Sequence, residues 1–136
     1  MKLQGIIGLL LLACLLTVGC ATTNCKYTDA SNQEPGFMHI VFFWYNQDAN
    51  AFQKQQLVDD CLVYLAKVKT VRKLTIGDPA GTPRDVVDNS YGLCLVVHFD
   101  DKEGHEYYQT AAEHLEFIKR NQTTWNRVQV YDMIPK

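Results

Sequence analysis

The sequence lacks the motifs that identify several large classes of enzyme and nucleic-acid-binding protein. It has no phosphate-binding glycine loop, no G-x-S-x-G nucleophile motif and no dinucleotide-binding fingerprint. It also lacks an excess of positive charge, because 13 lysines and arginines stand against 15 acidic residues. A nucleic-acid partner is therefore not expected, since such partners bind to clusters of basic residues.

Close histidine spacings are also missing. The four histidines, His39, His98, His105 and His114, show none of the short spacings typical of zinc sites, and no acidic residue joins two of them on one helix face. We therefore predict no metal site and no cofactor. His98 and His105 are interpreted as solvent-facing or interface residues.

The longest hydrophobic run lies at the amino terminus. Residues 6–18, IIGLLLLACLLTV, follow Lys2 and are fewer than the roughly 20 residues of a membrane span. The run ends at Cys20 with a small residue before it, which resembles the lipobox of bacterial lipoproteins. We predict a signal peptide at residues 1–19 and a lipidated Cys20 that anchors the protein to the membrane. An uncleaved anchor and an ordinary secretory signal are the alternatives.

The residues after Cys20 predict a location and a tether. Ala21 stands at the position where an aspartate would retain a lipoprotein in the inner membrane. This favours the outer membrane of the bacterial envelope, facing the periplasm. Residues 20–36 are mostly polar and predict a flexible tether that contains Cys25. Residues 37–136 are then one small domain.

The domain alternates strand-like and helix-like patterns. β-Branched and aromatic runs predict four strands, at residues 39–45, 71–76, 91–99 and 125–133. Apolar residues at three- and four-residue spacing predict a helix at residues 49–68, capped by Asp48, and two short helices divided at a Thr110 cap are predicted at residues 101–109 and 111–121. The order strand, helix, strand, strand, helix, strand predicts an α+β, ferredoxin-like (split βαβ) fold, with an antiparallel sheet and helices on one face.

Both faces of the predicted sheet are apolar. The first strand has Val41 and Phe43 on one side and Phe42 on the other, and the strand at residues 91–99 repeats this pattern. A sheet with one face in water would alternate apolar and polar residues. Because the helices cover only one face, we expect a homodimer in which two sheets pack face to face. Cys61 and Cys94 fall on opposite sides of the sheet, which predicts two buried free thiols rather than a disulfide.

One short stretch, YQTAAEH at residues 108–114, predicts a break between two helices. Thr110 and Glu113 form the S/T-x-x-E pattern of a capping box, which opens a new helix. Tyr108 would then end one helix and His114 would lie in the first turn of the next. The break would allow the two side chains to meet, as they could not on one continuous helix.

These elements together resemble a known family. HIVFFWY at residues 39–45, Ser90-Tyr91 before a strand ending in Phe99-Asp100, Tyr108-x5-His114, and Trp125 through Tyr131-Asp132 are similar to the stress-responsive A/B barrel (Dabb) family. The resemblance implies a dimeric α/β barrel. Most members of this family have no assigned activity, so the resemblance implies none for this chain. One branch contains a plant polyketide cyclase, olivetolic acid cyclase, which works without metal or cofactor.

The resemblance to the cyclase implies candidate site residues. It matches His114 and Tyr108 to a catalytic histidine and tyrosine, and His39 to a histidine of the pocket. The competing interpretation of His39 is a core histidine whose hydrogen bonds are satisfied. Leu93 and the sequence A-A-E-H depart from the cyclase pattern. The competing interpretation is that Tyr108 and His114 hydrogen-bond each other or the backbone and knit the broken helix to the sheet. We expect a small apolar pocket that binds a small apolar molecule, lined by Phe43, Leu57, Leu95, Phe117 and Trp125; the alternative is that these residues simply fill the core. The alternative function is a cofactor-free cyclase or isomerase with His114 as the base and Tyr108 as its partner.

Overall fold

The structure is a computed structural model that describes residues 34–136. The predicted signal peptide at residues 1–19, Cys20, and all but the last three residues of the tether lie outside the described residues. Within residues 34–136, no helix is both long enough and apolar enough to cross a membrane.

A four-stranded antiparallel sheet forms the centre of the domain. Its strands are β1 (Phe37–Tyr45), β2 (Lys73–Gly77), β3 (Leu93–Phe99) and β4 (Trp125–Met133). Their order across the sheet is β2-β3-β1-β4, with every neighbouring pair antiparallel. This is the predicted ferredoxin-like arrangement, and the bounds of β4 are those that the sequence predicts.

The two faces of the sheet differ in burial as the alternation predicts. Val41, Phe43, Leu95 and Phe99 point to the inner face and are at most 5% exposed, since the helices cover them. The alternate residues on the outer face, such as Phe42, are only half-buried in the single chain. The outer face therefore presents apolar side chains that the helices do not cover.

Three helices cover the inner face: α1 (Ala51–Val63), α2 (Lys102–Thr110) and α3 (Ala112–Asn121). A short 3₁₀ turn, Leu65–Lys67, follows α1, so the predicted helix at 49–68 is divided. The cap of α1 is Asn50 rather than Asp48. The Asn50 side chain accepts a hydrogen bond from the backbone of Gln53, whose own side chain bonds back to the Asn50 N–H.

The helix breaks between Tyr108 and His114, but the predicted capping box is wrong. Thr110 is the last residue of α2, and its hydroxyl donates to the Tyr107 carbonyl at 3.1 Å. The N-cap of α3 is Ala111, which offers no side-chain cap and has an extended backbone with φ −63° and ψ 141°. This one extended residue redirects the chain.

A buried polar cluster fastens α3 to α1. Asp60 on α1 is 4% exposed and accepts hydrogen bonds from Nε of Arg120 and Nδ2 of Asn121, both at 2.8 Å. Because both donors lie at the carboxyl end of α3, Asp60 sets the position of that helix over the sheet.

The thiols of the domain are free, as the sequence predicts, but they are not equally buried. Cys61 is fully buried on α1, and Cys94 is half-buried on the outer face of β3. The prediction of two buried thiols is therefore wrong for Cys94 in the single chain. A second copy on the outer face would bury it.

Candidate functional site

A cavity of about 330 Å³ lies between the inner face of the sheet and the helices α2 and α3. Its walls come from β1, β3, β4, α2, α3 and the 3₁₀ turn. The lining residues are His39, Val41, Phe43, Leu65, Leu95, Tyr108, Gln109, His114, Phe117, Ile118, Trp125, Val128, Val130 and Asp132. Apolar side chains predominate, and the polar side chains are His39, Tyr108, Gln109, His114 and Asp132. This composition is typical of a small-molecule site.

The structure brings all seven predicted site residues to the wall of this cavity. The two catalytic candidates are His114 and Tyr108, and the five ligand-binding candidates are His39, Phe43, Leu95, Phe117 and Trp125. Their roles remain predictions. Leu57, which the sequence also suggested as a lining residue, is instead fully buried in the core and does not line the cavity.

Tyr108 and His114 are in contact across the helix break. Their ring centroids lie 4.5 Å apart, because extended Ala111 turns both side chains toward the cavity. Nδ1 of His114 lies 3.2 Å from the Gln109 carbonyl oxygen. A carbonyl only accepts, so Nδ1 carries a proton and Nε2 is the unprotonated nitrogen when the ring is neutral. His114 therefore has one structural bond to the backbone and one nitrogen that remains able to accept a proton.

Burial keeps the two side chains in their neutral forms. It lowers the pKa of His114 below its ordinary value, with a smaller contribution from His39, and this outweighs the Gln109 hydrogen bond, which raises the pKa. Burial also raises the pKa of Tyr108. At neutral pH the pair is an imidazole that can accept a proton and a phenol that can donate a hydrogen bond.

His39 is oriented by a carboxylate that the sequence analysis did not single out. Nδ1 of His39 donates to Oδ1 of Asp132 at 2.7 Å, across the β1–β4 pair in which these two residues face each other. Asp132 shares the inner face of β4 with Val128 and Val130, which also line the cavity. The period-two pattern of β4 contained this information, since the three residues alternate along the strand.

His105 is not solvent-facing, and that interpretation was wrong. It is 9% exposed and lies on α2 three residues before Tyr108, on the same helix face. Its ring stacks on Phe37 at 4.6 Å between centroids and lies 4.8 Å from the ring of His39. Burial lowers the pKa of His105, and the nearby His39 lowers it further. His98, by contrast, lies half-buried on the outer face, consistent with an interface position.

The absence of close histidine spacings did not exclude a cluster of metal-binding groups. One ligand atom each from His39, His105 and Asp132 lies within 4.8 Å of the other two. The three residues come from β1, α2 and β4, so only the tertiary fold brings them together. Spacing along the sequence detects metal sites whose ligands lie on one helix or strand, whereas the ligands of this cluster lie on three different elements.

Comparison with known proteins agrees with the fold and the order of its elements. The sequence profile of the Stress Responsive A/B Barrel Domain (Dabb) matches residues 37–135, which is most of the chain. The protein belongs to the Dabb family. No curated protein sequence matches this Dabb chain.

Solved structures share the Dabb fold at low sequence identity. A dimeric ferredoxin-like protein of unknown function from Thermobifida fusca is 17% identical, with a TM-score of 0.64 over 76% of this chain and 93% of its own. Hydroxynitrile lyase from Passiflora edulis is 17% identical, with a TM-score of 0.66 over 76% and 96%. A Dabb family protein from Mesorhizobium loti is 14% identical, with a TM-score of 0.62 over 76% and 99%. At these identities the likeness concerns the fold.

Proposed function

We propose that this Dabb domain is a homodimeric binding protein for a small, largely apolar molecule that carries one hydrogen-bonding group. The observation that carries the proposal is the cavity of about 330 Å³, with apolar walls and a polar end formed by His39, Tyr108 and His114. Ligand sites begin at roughly 300 Å³, so the space suits a compact ligand of one or two rings.

The polar end would select the ligand's functional group. Neutral His114 can accept a hydrogen bond at Nε2, and the Tyr108 phenol can donate one. A hydroxyl group is therefore favoured, because it can accept a hydrogen bond from Tyr108 and donate one to His114, whereas a carbonyl or a carboxylate group can only accept. The rest of the ligand would contact Phe43, Leu95 and Trp125.

The test uses 2-naphthol and a series of straight-chain alcohols as probes. Val130→Phe places a larger side chain in the cavity from a position that is already 40% exposed, so the variant is expected to fold. Val63→Phe is the matched control, because Val63 is similarly exposed on α1 and does not line the cavity. We expect Val130→Phe to weaken binding at least tenfold and Val63→Phe to leave it unchanged. Failure of every probe to bind the wild-type protein would refute the proposal.

The outer face of the sheet supports the homodimer. Its apolar side chains include Met38, Ile40, Phe42, Cys94, Val96, Tyr131 and Met133. Tyr131 and Met133 are 58% and 44% exposed in the single chain. A contiguous apolar surface of this kind is rare on monomers, and a second copy of the same sheet covers it by two-fold symmetry. The dimeric state of the Thermobifida fusca protein with this fold is in keeping with it.

Light scattering at micromolar concentration tests the dimer. Phe42→Asp introduces a charge at the centre of the outer face, and we expect it to convert the dimer to a monomer. Phe52→Asp is the control, because Phe52 is 76% exposed on α1. A wild-type chain that is monomeric, soluble and stable at that concentration would contradict the proposal.

A second candidate function is cofactor-free proton transfer by His114 with Tyr108. The observation that favours it is the contact of the two rings at 4.5 Å beside a cavity, with the imidazole kept neutral by burial. Hydroxynitrile lyase shows that an enzyme can have this fold. Incubation of carbonyl compounds in heavy water would reveal exchange of the hydrogens beside the carbonyl group. Exchange that persists in His114→Gln would rule out this role.

We also propose that Cys20 is lipidated and holds the domain at the bacterial envelope, facing the periplasm. The support is the apolar run that ends at Cys20, followed by Ala21. Two or more acyl chains would give stable membrane attachment. Mass spectrometry of the mature amino terminus tests the proposal, and an unmodified Cys20 would refute it.

A further inference from the structure

The cluster of His39, His105 and Asp132 lies at the polar end of the cavity and has a composition suited to a metal ion. One imidazole nitrogen from each histidine and one carboxylate oxygen lie within 4.8 Å of one another. Both histidines are buried, and Asp132 is exposed. We propose that these three residues bind a divalent transition-metal ion such as Zn²⁺.

The donor set indicates which ions would bind. Two imidazoles and one carboxylate are the ligands of many mononuclear zinc and iron sites, in which the protein occupies three positions and leaves the others open. Magnesium and calcium prefer oxygen ligands and are disfavoured by two nitrogens. His39 and Asp132 also line the cavity, so the open positions would face the space in which a small molecule binds.

The surroundings of the cluster resemble the outer shell of a metal site. Phe37 stacks on His105, and the ring of Phe99 meets it edge-on at 5.5 Å, so one side of the cluster is apolar. Such a shell restricts the access of water and lowers the local dielectric around a bound ion. The side chain of Asp132 is 43% exposed, which leaves a route for a hydrated ion.

Metal binding requires only local rearrangement. Metal–ligand bonds of about 2.1 Å place neighbouring ligand atoms roughly 3–3.5 Å apart, so the groups must approach by about 1–2 Å at most. Nδ1 of His39 is now bonded to Asp132 at 2.7 Å, and Nε2 of His105 lies 2.8 Å from the amide nitrogen of Gln109. The Gln109 side chain can rotate away, and hydrogen bonds between ligands are replaced by bonds to the ion.

This inference is independent of the apolar-ligand proposal. A metal ion can bind to the three residues whether or not an apolar molecule occupies the cavity, and the cavity can bind a molecule without a metal. The two are separated by measuring zinc binding in the absence of naphthol and naphthol binding in the presence of a chelator.

The full chain is purified in detergent and freed of metal with a chelator. It is then titrated with Zn²⁺, followed by calorimetry, and with Co²⁺, followed by visible absorption. Asp132→Asn is the decisive variant, because it retains an acceptor for His39 and removes the charged ligand at an exposed position. His105→Ala is the second variant, and His98→Ala is the matched control on the outer face. We expect one ion per chain, a loss of affinity of at least tenfold in both variants, and no change in the control.

Three results would overturn the inference. The first is a wild-type affinity for zinc in Asp132→Asn. The second is a sulfur-to-cobalt charge-transfer band, which would place the ion on cysteine. The third is binding of Mg²⁺ as tight as that of Zn²⁺. Loss of zinc binding in His105→Ala with naphthol binding retained would support the metal site and show that the two sites are separable, because His105 does not line the cavity.

Discussion

Replacing Asp60 with alanine should destabilise the domain and loosen the cavity together. Asp60 is 4% exposed on α1 and accepts hydrogen bonds at 2.8 Å from Asn121 and from Arg120. Both donors belong to α3, which also carries His114 and Phe117 of the cavity wall. The substitution therefore removes the polar contact that positions one wall of the cavity.

The expected loss follows from the burial of each bond. Asn121 is fully buried, and a hydrogen bond to a charged group contributes about 1.5–3 kcal/mol. Alanine restores at most about 0.7 kcal/mol through its better helix propensity. The Arg120 side chain is 38% exposed, so its ion pair is screened by water and adds less. We expect a loss of about 2 kcal/mol, a large fraction of the 5–15 kcal/mol that stabilises a typical domain.

Urea unfolding at one fixed protein concentration measures this loss, since the stability of a dimer depends on concentration. Asp59→Ala is the matched control, because Asp59 is the neighbouring residue on α1 and is exposed. Its effect should stay within about 0.5 kcal/mol. The affinity for 2-naphthol should fall in Asp60→Ala and not in the control. The reasoning would be refuted if Arg120→Ala were as damaging as Asp60→Ala, because the exposed ion pair would then dominate the buried hydrogen bond.

Three further predictions concern pH, thiol reactivity and backbone contact. Burial lowers the pKa of His114, so the unfolded chain binds more protons than the folded chain below about pH 6.5. The thermal midpoint should therefore stay constant above pH 7 and fall as the pH is lowered toward 5. The fall should be less steep in His114→Gln. Burial raises the pKa of the Cys61 thiol to about 12, so Cys61 should resist alkylation in the native protein. Cys94 should react faster in the Phe42→Asp monomer than in the dimer. Mass spectrometry of labelled peptides measures both reactions. Gly36→Ala would place a methyl group in steric overlap with the Asp100 carbonyl oxygen, and hydrogen exchange should then show fraying at the start of β1.

The fold was predictable because its strands alternate in a regular way. The inner-face residues of β1 and β3 follow period two without interruption, and the bounds of β4 were predicted correctly. The caps were less predictable. Asp48 and Asn50 are both good N-cap residues, and the choice between them depends on which backbone N–H groups the tertiary fold leaves free. At Ala111 the helix breaks without any side-chain cap, so the break was predicted correctly but from a capping box that does not form.

The candidate site was predictable where strand alternation or family resemblance placed a residue on the inner face of the sheet. Site residues were missed where they lie on one face of a helix or at the end of a strand. His105 stands three residues before Tyr108, a spacing that puts both on one face of α2, so its burial could have been inferred. The proximity of His105 to Asp132 could not have been inferred from the sequence, because it depends on how α2 lies across β1 and β4. That placement is set by packing, which one sequence does not reveal.

The cavity exists because the helices cover the sheet incompletely. β4 is an edge strand, and its inner-face residues Val128 and Val130 remain 38% and 40% exposed while those of β1 and β3 are buried. A partner on the outer face would not cover them, since they point the other way. An apolar molecule in the cavity would remove this surface from water at about 25 cal/mol per Å², so ligand binding should stabilise the domain. A rise in the thermal midpoint with 2-naphthol, absent in Val130→Phe, is therefore expected even if no reaction is ever catalysed.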